Sequence, residues 1–133
     1  MPSIALSPDN KMFAAISANS MVAYFYLWNF TSFTQTTQNA FVSGEMFHML
    51  SYSKDGKYIA AANLGGGTVK IYNATTLNQL QNLVIGMGDV RCVDFSYDSQ
   101  YILIAGNDPH IQVWSISNWT MVRSLSTNST FSF

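Results

Sequence analysis

The sequence predicts an all-β protein made of three tandem, four-stranded antiparallel units. Two observations support this: a set of landmark residues recurs with spacings of 46 and 43 residues, and short apolar runs bounded by turn residues fill each period. In addition, no segment of eleven or more residues has the apolar spacing of an amphipathic helix. At 133 residues, the chain has room for one domain with a sizeable core.

The first landmark is a serine turn followed by an apolar strand. Its serines are Ser7, Ser53 and Ser96. The Pro-Asp-Asn and Asp-Gly steps within two of these turns are typical of tight connections between antiparallel strands. The second landmark is an aromatic residue that closes a later β-like run, 21, 19 and 18 residues after the serine: Trp28, Tyr72 and Trp114. Because both landmarks recur together, the sequence indicates a true repeat.

Each repeat divides into four short strands at the spacing expected of all-β proteins. In the second unit the expected strands cover residues 46–52, 58–63, 68–73 and 79–85. The three repeats are expected at approximately 3–43, 46–86 and 90–126, within one domain that covers residues 1–133.

The order of these features resembles the WD repeat. An apolar strand leads to a Ser-x-Asp turn, then to a strand of small residues, then to a strand that ends in an aromatic. The third unit matches best, because Asp108 lies six residues before Trp114, at the offset of the family's turn aspartate. The family's Gly-His pair is absent, and Gly66 and Val22 replace the turn aspartate in the other two units. The resemblance implies three four-stranded blades of a β-propeller, none of which forms the family's Asp–His–Ser/Thr–Trp hydrogen-bond network.

Three blades are fewer than the four to eight that close a propeller ring. The outer faces of the first and last blades should therefore be covered, since exposed apolar sheet faces mark interfaces. Three occupants are open: the remaining blades of a longer chain, a second copy that forms a homodimer, or another protein. The expected partners are in each case proteins.

Composition argues against several other classes of partner. A net charge of −1 with six Lys+Arg argues against binding a nucleic-acid backbone. The longest clean apolar run, residues 21–28, is far shorter than the ~20 residues needed to cross a bilayer, so no membrane is expected. The single cysteine, Cys92, excludes an intrachain disulfide and favours a reducing, intracellular compartment, the cytoplasm by default. Cys92 lies in an inner-strand pattern, where a free cysteine is usually buried and inert.

No catalytic, metal or cofactor site is predicted. His48 and His110 are 62 residues apart with no clustered ligands, whereas a metal needs three or four. The glycines at 65–67 run into a strand and not into the helix of a phosphate loop. The aspartates at positions 9, 55 and 98 fall at equivalent turns, which indicates a structural role.

The predicted function is a non-catalytic scaffold for protein–protein interactions, because WD-repeat proteins that this chain resembles present loops at the rim of a rigid disc. One alternative is a propeller-based enzyme with Asp89, Asp94, His48 or His110 converging at the rim. Another is a purely structural subunit that is ordered by its partners. The candidate protein-contact residues lie on inter-strand turns: Asn19, Ser20, Glu45, Met87, Asp89, Asn107, Asp108 and His110.

Overall fold

A computed structural model describes residues 3–18, 23–40, 45–86 and 88–126. The described residues form twelve strands: β1 (Ser3–Leu6), β2 (Met12–Ala18), β3 (Ala23–Asn29), β4 (Gln35–Ala40), β5 (Phe47–Tyr52), β6 (Tyr58–Asn63), β7 (Thr68–Asn73), β8 (Gln79–Val84), β9 (Val90–Phe95), β10 (Tyr101–Gly106), β11 (His110–Ser115) and β12 (Thr120–Ser126).

The strands form three four-stranded antiparallel sheets, each joined in chain order. The first sheet is β1–β4, the second β5–β8 and the third β9–β12. The predicted fold class, three tandem four-stranded blades of part of a β-propeller, is therefore confirmed. All four strands predicted for the second unit agree with the structure to within one residue at each end, and β6 and β7 agree at both ends.

The serine landmark builds the turn between the first two strands of every sheet. In the second sheet the Ser53 hydroxyl donates to Asp55 Oδ1 at 2.6 Å and accepts from the backbone N–H of Tyr58 at 2.9 Å. Gly56 supplies the left-handed backbone conformation that the turn needs, with φ of 75°. The same serine–aspartate pairing recurs in the other two sheets, so the turn explains why the landmark repeats.

An asparagine shapes the turn between the third and fourth strands. Asn73 Oδ1 accepts the backbone N–H groups of Thr75 and Thr76 at 2.8 and 3.1 Å. Asn29 makes the same pair of contacts after β3. The asparagine oxygens accept N–H groups that a tight turn leaves without backbone partners, so Asn is favoured as the last residue before the turn.

The core lies between the sheets in two separate layers. Between the first and second sheets the buried residues are Ala14, Ile16, Phe25, Leu27, Phe47, Leu50, Tyr52, Ile59, Ala61, Tyr72, Ala74 and Leu77. Between the second and third sheets they are Ala60, Ala62, Val69, Ile71, Leu83, Ile85, Val90, Val93, Phe95, Ile102, Ile104 and Ile116. The second sheet is thus buried on both faces, whereas the described residues cover each outer sheet on one face only.

Candidate functional site: the loop end and the open sheet faces

The predicted contact residues that the structure describes lie at one end of the sheets. We call it the leading end; there the chain enters β5 and β9, and tight turns join β6 to β7 and β10 to β11. The backbone N–H of Leu64 donates to the carbonyl of Met46, and that of Asn107 to Asp89, which ties each turn to the loop before its sheet. Asn19, Ser20 and Met87 lie outside the described residues.

Asp89, Arg91 and Asn107 form one polar cluster at the leading end of the third sheet. Asn107 Nδ2 donates to Asp89 Oδ2 at 3.0 Å, and the Arg91 guanidinium donates to Asn107 Oδ1. An Arg91 nitrogen also lies 3.8 Å from Asp89 Oδ2. Arg91 was missed by the sequence analysis, since its strand pattern gave no sign of these contacts. The cluster therefore offers a partner both a carboxylate, from Asp89, and a guanidinium, from Arg91.

Asp108 and His110 contact each other across the β10–β11 turn, where His110 is the first residue of β11. Both side chains are about two-fifths exposed. The Trp114 indole donates to Gln112 Oε1 at 2.9 Å, and the Gln112 amide donates to the carbonyl of Ile85 at 3.0 Å. The tryptophan thus has a partner two residues away on its own strand and not a Ser or Thr.

Glu45 is engaged inside the protein. Its carboxylate forms an ion pair with the ammonium of Lys70, and both side chains are largely shielded from solvent. Lys70 Nζ also lies 5.7 Å from the centre of the Phe47 ring. The charge of Glu45 is therefore neutralised within the protein, in a pair that is more shielded from solvent than the Arg91–Asp89 pair.

The residues of the enzyme alternative are spread over β5, β9, the loop before β9 and the start of β11. His48 Nε2 lies 3.1 Å from the backbone carbonyl of Arg91, which links β5 to β9. Asp89 and Asp94 are separated by roughly 16 Å of extended strand. In the part of the chain that the structure describes, no three His, Cys, Asp or Glu residues come together as a metal site would need. No helix among the described residues is long and apolar enough to cross a membrane.

The first sheet presents a large apolar face that no other described element covers. Ile4 is 73 % exposed and Leu6 51 %. Leu6 directly precedes a landmark serine, as do Tyr52 and Phe95, which are buried in the layers between sheets. On the same face Phe13 stacks on Trp28, with ring centres 6.1 Å apart. The side chains of this face therefore have the character of residues that pack between blades.

The third sheet has an equivalent open face on its other side. Leu103 and Ala60 are equivalent positions, because each lies seven residues after the landmark serine of its unit. Leu103 is 41 % exposed, whereas Ala60 is fully buried. Cys92 lies on this face and is exposed, so the expectation of a buried cysteine was wrong. The strand assignment was right, but burial of an inner strand requires a neighbouring sheet on that side. Asp94, next to Leu103 across the β9–β10 pair, is exposed as well.

Residues 79–115 match the family model described as "WD domain, G-beta repeat". The chain is similar to transcription initiation factor TFIID subunit 5 of Caenorhabditis elegans, with 24% identity over 126 residues that cover 93% of this chain and 18% of that protein. It is also similar to pre-mRNA-processing factor 19 of Dictyostelium discoideum, with 30% identity over 117 residues that cover 80% of this chain and 20% of that protein. The chain thus spans about a fifth of the length of these relatives.

Two solved structures share the fold. A structure of RRP9 WD40 repeats superposes with a TM-score of 0.82 at 16% identity, and a structure of U3-55K with a TM-score of 0.80 at 15% identity. Each match covers 93% of this chain and 38% of the other. The three sheets therefore have the arrangement of neighbouring blades in a larger propeller.

Proposed function

We propose that this chain, which belongs to the WD-repeat family of β-propellers, is a non-catalytic scaffold. It mediates protein–protein interactions within a larger assembly. The relatives' names support this, since one is a subunit of a transcription initiation factor. We assign no catalytic activity to the chain.

The observation that carries the proposal is the pair of open sheet faces. Positions that are buried between sheets elsewhere in the molecule are exposed on the first sheet at Ile4 and Leu6 and on the third at Leu103. Exposed apolar faces of this kind mark protein interfaces. Repeat units are stabilised by their neighbours, so another blade is the element that fits each open face. That blade could belong to a longer chain, a second copy or another protein.

We further propose residues 1–133 as one partial propeller with repeats at approximately 3–43, 46–86 and 90–126. The leading end serves as its partner-contact rim, through Asp89, Asn107, Asp108 and His110, whose side chains are at least partly exposed. Glu45 belongs to the same rim but contributes mainly by holding its loop to β7.

The location that we propose is intracellular, in keeping with relatives named for transcription initiation and pre-mRNA processing. Those names give no support to the cytoplasm over the nucleus. The absence of a nucleic-acid partner stays a prediction from charge alone.

The test replaces Leu6 by glutamate in the full chain, which places a charge on the open face of the first sheet, at the end of its edge strand β1. The tagged wild-type chain, purified from its native cells, should elute as an assembly larger than one chain, with a defined ratio of partner to chain. Leu6→Glu should reduce the co-purified partner at least about tenfold, because burying an unpaired charge in an apolar interface costs more than 1.4 kcal/mol.

Leu80→Glu is the matched control, because Leu80 is similarly exposed (43 %) but lies on the outer strand of the doubly covered second sheet. It should retain the assembly. The proposal would be refuted if the wild-type chain were monodisperse at the mass of one chain, or if both variants lost their partner equally.

A further inference from the structure

A cleft opens between the first and second sheets at the end opposite the leading end, where the serine turns lie. It has a volume of about 490 Å³. One wall is the β1–β2 turn and the other comprises the β5–β6 and β7–β8 turns. Across it, Pro8 Cγ lies only 3.6 Å from where a Cβ on Gly56 would stand, so the two walls approach closely at this point.

The hydroxyl of Tyr52 is buried in this cleft and is not used by the fold. Tyr52 is only 7 % exposed, it lines the cleft, and its hydroxyl oxygen has no hydrogen-bond partner among the described residues. A buried polar group left without a partner costs about 1 to 3 kcal/mol. Packing does not require it, because Phe95 is equally buried at the equivalent position of the third sheet and carries no hydroxyl.

The walls of the cleft carry more negative than positive charge. Asp9 and Asp55 line opposite walls, and Lys54 is the one basic residue of the described lining. In each aspartate Oδ1 accepts a serine hydroxyl and a backbone N–H, whereas Oδ2 makes no hydrogen bond to the described residues. The hydrogen bonds from Ser7 and from the Lys11 backbone hold the pKa of Asp9 below its usual value, so its carboxylate is ionised.

Asp9 also produces a negative electrostatic potential at Tyr52. Burial, and after it the negative charge of Asp9, raises the pKa of Tyr52 to about 12. The part of this shift that comes from Asp9 reflects a negative potential, which stabilises a positive charge placed beside the hydroxyl oxygen, whereas burial disfavours a charge of either sign. Below this polar group, Pro8, Met12 and Ala74 supply an apolar floor, which suits the methylene stem of a long side chain.

We infer that this cleft binds a lysine or arginine side chain of a protein partner, with its cationic head between the Asp9 carboxylate and the Tyr52 hydroxyl and its stem on Pro8 and Met12. The inference rests on the proposed scaffold function and gives that scaffold a second contact site, on the face of the disc opposite the leading end. A hydrogen bond to a charged group contributes more than one between neutral groups, so the Tyr52 hydroxyl should be a main source of affinity.

The experiment is an NMR titration of the full chain with an acetylated and amidated Gly-Ser-Lys-Ser-Gly peptide. Saturable shift changes are expected at backbone amides of residues 9–12 and 54–57. A peptide with norleucine in place of lysine should not produce them. Tyr52→Phe and Asp9→Asn should each weaken binding about tenfold, which corresponds to about 1.4 kcal/mol.

Asp98→Asn is the matched control, because Asp98 makes the same turn contacts in the third sheet but does not line the cleft. It should leave affinity unchanged. Tyr52→Phe should unfold at the same or higher denaturant concentration than the wild type, which separates a binding role from a structural one. No saturable change, equal binding of the norleucine peptide, or undiminished binding by Tyr52→Phe would each overturn the inference.

The two proposals fail separately. Loss of assembly in Leu6→Glu together with no peptide binding would overturn the cleft alone. Saturable lysine binding by a chain that forms no assembly would overturn the scaffold alone.

Discussion

The buried serine of the central turn allows a quantitative test of how the repeat is held together. Ser53 is fully buried, and its hydroxyl both donates to Asp55 and accepts from Tyr58. Ser53→Ala removes both hydrogen bonds at a position that is fully excluded from bulk solvent. Ser96 makes the same two bonds at 2.6 and 3.0 Å, but it is only half-buried.

The two substitutions should lower the free energy of unfolding by different amounts, because water can replace a lost hydrogen-bond partner more easily at Ser96 than at Ser53. A neutral hydrogen bond contributes about 0.5 to 1.5 kcal/mol, and a buried group left unpaired costs about 1 to 3 kcal/mol. Ser53→Ala should therefore lower the free energy of unfolding by about 2 to 3 kcal/mol. Ser96→Ala should lower it by about 1 kcal/mol, since water can replace the lost partner there.

Urea denaturation followed by tryptophan fluorescence measures both changes, provided that the slope with urea stays constant. Ser51→Ala is a nearby control on β5, the strand that leads into the turn, since the Ser51 hydroxyl makes no hydrogen bond to the described residues. It should change stability by less than about 0.5 kcal/mol. Equal losses in Ser53→Ala and Ser96→Ala would show that burial does not set the strength of the turn, and the reasoning would be wrong.

Three other outcomes are expected. The folded state holds the pKa of Asp9 and Asp98 below the usual value of 3.8, so their stabilisation is present above that pH and is lost as the pH falls through the folded pKa. A double asparagine variant should flatten the pH dependence of unfolding in this acidic range, and an unchanged slope would contradict the assignment. Gly66→Asp restores the family's turn residue, yet it should lower the free energy of unfolding by about 1 to 2 kcal/mol. The new Cβ would stand 2.3 Å from Asn63 Nδ2 and would displace a side chain that is held by two hydrogen bonds. Equal or greater stability in urea unfolding would count against this explanation. Cys92 should react with a thiol reagent in the free chain and be protected once its sheet face is covered, and a rate unaffected by assembly would argue that this face stays open.

Local chemistry made most of the architecture predictable. The serine turns, the asparagine turns and the aromatic strand ends are formed by residues close together in sequence, so their recurrence located the strands. β6 and β7 were placed correctly because each apolar run is bounded by unmistakable turn residues, the Asp-Gly step before β6 and the three glycines between the two strands.

Side-chain contacts between residues distant in sequence, and the covering of one sheet by another, were not predictable in the same way. The Asp89–Arg91–Asn107 cluster depends on an irregularity in strand pairing at Ala105 and Gly106, which shifts the register at the leading end. The exposure of Cys92 depends on whether a sheet lies beside it and not on its own strand pattern. Single positions on a strand reveal which face they occupy but not what covers that face.

The doubly covered second sheet has a consequence for how the molecule opens. Its central strand carries three consecutive alanines, Ala60 to Ala62, all fully excluded from solvent by layers on both sides. Stability in a linear array of repeats is a sum of nearest-neighbour terms. The unit with two neighbours therefore opens least often, and its amide hydrogens exchange with solvent most slowly. Hydrogen exchange should thus be slowest in β6 and should quicken toward both outer sheets. A partner that docks on an open face would slow exchange in the sheet beneath it, so this gradient reports which side of the scaffold is occupied.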